Sequence, residues 1–99
     1  MNIINSSDDL RTDQFSKYIQ EFNIPFTLNL ERGEQLDNVK VVYETYGKLN
    51  YEKSNAILVC HAITGDSHVA KHNEDDLPGW WDLMVGPNKP IDTNKYFVI

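Results

Sequence analysis

Residues 56–60, Ala-Ile-Leu-Val-Cys, form an unbroken apolar run that is too short for a typical helix and contains β-branched Ile and Val. A continuous run, as opposed to an alternating one, suits a strand buried on both faces of a mostly parallel sheet. At His61 the chain turns polar and reaches Thr64-Gly65-Asp66, a loop composition in which Gly65 is free to take positive φ. In open α/β sheets, ligands gather just beyond the carboxyl ends of such strands. The residues after Cys60 are therefore where chemistry is expected first.

Ahead of this run, the pattern predicts a helix over residues 6–23. Ser6 with Asp9 resembles a capping box, and Asp8 and Asp9 suit the positive end of a helix dipole. Phe15, Tyr18, Ile19 and Phe22 recur at helical spacing as one apolar stripe, which reads as a packing face. Pro25 and its restriction of Ile24 would end the helix. Next, Phe26, Leu28 and Leu30 alternate with polar residues, Arg32-Gly33-Glu34 makes a turn, and Val39, Val41 and Tyr43 alternate again. This predicts an antiparallel hairpin at a sheet edge, its second strand ending at Gly47. Residues 48–54 form a polar connection to the buried run.

Past the loop, regular pattern is lost. Residues 67–78 are polar and carry His68, His72, Glu74, Asp75 and Asp76; Gly79-Trp80-Trp81-Asp82-Leu83-Met84 is an aromatic block, followed by the breakers Gly86-Pro87 and Pro90. Asp92-Thr93-Asn94 reads as a turn that delivers Lys95 into a final strand, Tyr96-Phe97-Val98-Ile99. The expected division is a helical extension over residues 1–24 and an incomplete sheet domain over 25–99. A chain that stops inside an apolar strand reads as the front portion of a larger fold.

Composition narrows the function classes. With 99 residues the chain has room for one small domain, and 40% apolar and 24% charged residues are ordinary for a folded soluble protein. The formal net charge of −6 disfavours nucleic acid or an anionic membrane as a partner. No apolar stretch approaches a transmembrane span, and residues 1–5 lack a signal-peptide pattern. Cys60 is the one cysteine, so an internal disulfide is impossible and a cytoplasmic setting is the expectation.

Taken alone, the residues after Cys60 also fit a plain strand-to-loop turn, with His61 bonded to neighbouring backbone. His68 and His72 stand four apart with carboxylates nearby, which raises a metal site. Residues 73–78 read as a solvated loop, however, and no third ligand has motif spacing, so no metal is predicted. The Trp80-Trp81 pair fits a ligand channel as well as packing with satisfied N–H groups.

Several blocks in order resemble homoserine O-acetyltransferase, a family with the α/β-hydrolase fold. They are Tyr43-Glu44-Thr45-Tyr46-Gly47-Lys48-Leu49-Asn50, the Val59–Asp66 stretch, Gly79-Trp80-Trp81-Asp82, and the segment from Val85 to Ile99. Ile63 stands where the family usually has Leu, a volume-conserving change. Asn88 stands where Gly is common, which fits a left-handed backbone there. The resemblance covers about residues 26–99. It implies the N-terminal part of an α/β-hydrolase fold, an edge hairpin plus the first parallel strands, cut before the nucleophile elbow. It also implies transfer of an acetyl group from acetyl-CoA to the hydroxyl of L-homoserine in methionine biosynthesis. That transfer would run through an acyl-serine, in a cytoplasmic homodimer, with no cofactor beyond the CoA donor.

No serine here sits in a Gly-x-Ser-x-Gly turn, and the triad order Ser, Asp or Glu, His puts all three members later in the chain. What this portion can carry is the second oxyanion donor, which α/β-hydrolases take from the loop after the third strand. The backbone N–H of Ile63 is expected to supply it. Thr64 is expected to offer its hydroxyl to the amino-acid substrate, and Gly65 to allow close approach of ligand and backbone. The rival expectations are a related esterase that hydrolyses the acyl group, and a truncated non-catalytic chain.

Overall fold

The computed structural model describes residues 17–99. The predicted capping box and the first part of the predicted helix lie outside these residues. The rest of that helix is corrected: Gln20–Asn23 is a strand, β1. It pairs antiparallel with β4, Lys40–Tyr43, in the register Gln20↔Tyr43 to Asn23↔Lys40. The ladder runs on through Ile24 N–H to Val39 O at 2.8 Å. Extended backbone is what a residue before proline prefers, so Ile24-Pro25 continues a strand as readily as it ends a helix. Pairing with β4 overrode the helical stripe.

The predicted hairpin is also re-partnered. Its first strand shrinks to β2, Leu28–Asn29, which pairs with β3, Gln35–Leu36. The intervening turn is as expected, closed by Gly33 N–H to Leu30 O at 2.9 Å. The second expected strand is β4, but its mate is β1.

The apolar run begins as β5, Ala56–Ile57, parallel to β8, Phe97–Val98. Val59 N–H to Ile99 O at 2.8 Å extends this ladder to the end of the chain. On its other side β8 bonds Tyr46, with N–H to carbonyl contacts of 2.8 Å in both directions. Tyr46 lies three residues past β4, so β8 is inserted between the β4 extension and β5. A strand formed late in the chain thus separates two earlier ones, a crossover characteristic of parallel α/β sheets. Two further strands of two residues each, β6, Val85–Gly86, and β7, Ile91–Asp92, make a short parallel ladder around the Pro87–Pro90 turn.

The core sits where these pieces meet: Tyr46, Val69, Ala70, Val85 and Val98 are buried, with Val59, Met84 and Ile91 packed against them. The expectation that the 56–60 run is buried on both faces is corrected. Leu58 is 71% exposed and Cys60 is exposed. A strand of this composition is buried when layers cover both faces, and the described residues supply cover on one side. Among the described residues no helix is long and apolar enough to cross a membrane.

Candidate functional site

The loop after β5 is shaped by a β-turn: Gly65 donates its N–H to Ala62 O at 2.8 Å, leaving Ile63 and Thr64 as the central residues. Gly65 does not adopt positive φ. Its missing side chain matters for another reason, because a Cβ there would lie 2.9 Å from His61 Cβ. Ile63 is 99% exposed at the tip of the turn. Among the described residues, nothing accepts a hydrogen bond from its backbone N–H, and the Thr64 hydroxyl makes none. His61 Nδ1 lies 2.5 Å from Ala62 O, the neighbouring-backbone bond expected of it.

Beside this loop opens an apolar cavity of about 700 Å³. Its walls include Val41 and Val42 of β4, Leu58 and Cys60 after β5, His61, and Trp80. Trp80 stacks on Trp81 with centroids 5.8 Å apart and donates its indole N–H to Asp66 O at 2.9 Å. So Trp80 both packs and lines the cavity. Ile63, Thr64 and Gly65 are not among its lining residues.

The structure also assembles a buried polar cluster that sequence reasoning left scattered. Glu44, one residue past β4, is 2% exposed. Its Oε2 accepts the Ser67 hydroxyl at 2.5 Å and its Oε1 lies 2.8 Å from His68 Nδ1. His68 Nε2 is 2.8 Å from Leu77 O. A carbonyl only accepts, so Nε2 is the donor to Leu77 O, and Nδ1 is the ring atom that faces Glu44 Oε1. Four residues on, the His72 N–H and Nδ1 both donate to Asp76 Oδ2, at 2.8 and 2.9 Å. The His72 ring is sandwiched between Tyr18 and Tyr46, with centroids at 4.0 and 4.2 Å.

One correction follows. Residues 73–78 are not wholly a solvated loop, since Asp76 is buried. Glu44, 24 residues before His68 and so without motif spacing to the pair, lies beside both histidines. The Tyr-Glu-Thr-Tyr block contained it, but a carboxylate at the end of a strand carries no spacing relation to a distant His pair.

The environment shifts two of these groups. Burial pushes the Asp76 carboxyl up, but hydrogen bonds from the His72 backbone and ring, with the nearby His68, outweigh it and leave the carboxyl below its usual range. Burial, reinforced by the Glu44 and Asp76 carboxylates and opposed by the Ala70 N–H, holds the Tyr46 hydroxyl well above its ordinary value.

No family model matches the chain. It is 51% identical over 96 residues to the bifunctional methionine biosynthesis protein MetXA/MetW of Rhodopirellula baltica, covering 97% of this chain and 15% of that protein. It is 56% identical over 85 residues to the homoserine O-acetyltransferase of Methanohalobium evestigatum, covering 85% of this chain and 17% of the relative. A homoserine O-succinyltransferase of Hahella chejuensis is 53% identical over 83 residues, which are 82% of this chain and 21% of that one. The chain thus spans about a fifth or less of the curated relatives it matches. The first of these matches reaches well ahead of Pro25, beyond the motif blocks. Among solved structures, the homoserine O-acetyltransferase of Bacillus anthracis superposes with a TM-score of 0.70 at 45% identity, covering 81% of this chain and 21% of that one. Esterase E22 superposes with a TM-score of 0.71 at 44% identity, over 81% of this chain and 22% of its own. The fold is that of the α/β-hydrolases, represented here by a part of its sheet.

Proposed function

We propose that this chain is part of a homoserine O-acyltransferase, and that the intact protein moves an acetyl group from acetyl-CoA to the hydroxyl of L-homoserine. The observation that carries this reading is identity above 50% with a homoserine O-acetyltransferase and a homoserine O-succinyltransferase over more than four-fifths of the chain. The products serve methionine biosynthesis, and the protein acts as a cytoplasmic homodimer on small-molecule substrates, without nucleic acid or membrane.

In the proposed mechanism, a serine outside these 99 residues takes the acetyl group as an ester and passes it to homoserine. Each half-reaction goes through a tetrahedral intermediate bearing an oxyanion, stabilised by preorganised N–H donors. Ile63 supplies one of them. Two features support it: the Ala62–Gly65 turn places Ile63 at its first central position, and its N–H is unclaimed among the described residues. Because the donor is a main-chain group, an Ile side chain serves there as well as a Leu would. Thr64, exposed beside it, offers its hydroxyl to the amino-acid substrate, and Gly65 keeps the turn compact against His61. Acetyl-CoA is a substrate here, not a resident cofactor.

The test follows CoA release from acetyl-CoA by the full-length protein with and without L-homoserine. Homoserine-dependent release supports the transferase. The likeness to esterase E22 favours a second reading, ester hydrolysis. Acyl-ester hydrolysis indifferent to homoserine would establish that reading and overturn the first.

A further inference from the structure

His72 poses a problem of satisfaction. Its Nδ1 carries the proton given to Asp76, so Nε2 presents a lone pair, and this buried atom has no hydrogen-bond partner among the described residues. It faces Glu44 Oε1 at 3.7 Å. A lone pair opposite a carboxylate oxygen in a buried site is repulsive unless something positive lies between them, and a buried unsatisfied nitrogen calls for such an explanation.

We propose that Glu44, His68 and His72 form a binding site for a divalent transition-metal ion of the zinc type, cross-linking the end of β4 to the loop that carries the two histidines. Their nearest donor atoms, one from each side chain, all lie within 4.8 Å of one another. Metal–ligand bonds of 2.0–2.1 Å in tetrahedral geometry put donors about 3.3 Å apart. The pairs at 2.8 and 3.7 Å bracket that spacing. Two imidazoles with one carboxylate are a donor set suited to zinc.

The surroundings match as well. Metal-bound histidines almost always donate their other ring N–H to a carbonyl or carboxylate, which fixes tautomer and ring orientation. Here His68 Nε2 bonds Leu77 O and His72 Nδ1 bonds Asp76, so both outward nitrogens are already engaged in that way. The Ser67 hydroxyl likewise holds the second oxygen of Glu44. The Tyr18 and Tyr46 rings clamp the His72 plane.

The experiment uses the full-length protein, stripped with a chelator and titrated with Zn²⁺ alone by calorimetry and Co²⁺ alone by visible absorption. The expected result is one ion per chain that is lost in Glu44→Gln and in His72→Phe, the latter keeping an aromatic ring between the two tyrosines. Asp76→Asn is expected to weaken binding about 10- to 100-fold. Should a variant fail to fold, ¹⁵N-imidazole NMR of the unaltered protein decides: Zn²⁺ is expected to move the His68 Nδ1 and His72 Nε2 resonances and leave His61 in place. No saturable binding, binding undiminished in folded variants, or shifts confined to His61 would overturn the site.

Discussion

Glu44 Oε1 and His68 Nδ1 lie 2.8 Å apart with both side chains almost completely buried, so the end of β4 is tied to the loop beyond β5 by a charge-capable pair sealed from water. Removing one partner of such a pair leaves the other buried without compensation. Glu44→Ala is therefore expected to cost about 3–5 kcal/mol of stability, read as a shift of the urea midpoint at unchanged slope. Glu44→Gln keeps an acceptor for Ser67 and a group for Nδ1, and its loss is expected to be smaller. Equal losses in the two variants would show that packing, and not the pairing, is what matters there.

At Ile63 the proposed chemistry belongs to a main-chain donor. Proline at the first central position of a β-turn keeps the fold of the turn while removing the N–H. In the full-length protein, Ile63→Pro is expected to lower kcat of the proposed transfer by about 10²–10³, and Ile63→Leu to leave it within twofold. A fully active Ile63→Pro enzyme would remove this residue from the oxyanion site.

Gly47 stands where the chain turns away from Tyr46, at φ +77°. A Cβ there would lie 2.2 Å from Tyr96 O and 2.8 Å from Thr93 O, both rigid backbone atoms. Gly47→Ala combines left-handed strain with a clash that cannot relax, and about 2–5 kcal/mol is expected to be lost. Thermal unfolding of the variant checks this. A melting temperature unchanged within a degree would mean that the approach of the two segments is looser than the structure has it.

Asp92 accepts N–H bonds from Asn88 and Asn94, both at 2.9 Å onto Oδ1, and these hold its carboxyl below the ordinary 3.8. A folded-state value below the unfolded one means the contribution is fully present above the unfolded value. It is lost as the pH falls through the folded one. Stability measured from pH 6 downward is expected to decline more gently in Asp92→Asn, which keeps an acceptor and drops the charge. Parallel acid limbs for the two proteins would rule out the assignment.

Local chemistry made much of this protein legible in advance. The 56–60 run was readable as a strand of a parallel sheet because its composition leaves few alternatives. The Arg32-Gly33 turn, the Asp92-Thr93-Asn94 turn and the left-handed backbone at Asn88, φ +61°, follow from what single residues tolerate. The likeness to an acyltransferase rested on ordered motif blocks, and the curated relatives agree with it.

Pairing was decided by tertiary structure. Phe22 belongs to a helical stripe with Phe15, Tyr18 and Ile19, yet backbone bonds to β4 made residues 20–23 a strand, because an edge with unpaired N–H and C=O groups gains more from a partner than a weak local preference costs. The same holds for the insertion of β8 between Tyr46 and β5, a contact across some fifty residues that no local pattern encodes. It holds most clearly for the buried cluster. His68 and His72 are neighbours in sequence, but Glu44 reaches them only because β4 delivers it there, and a carboxylate's role in such a site is set by position in space.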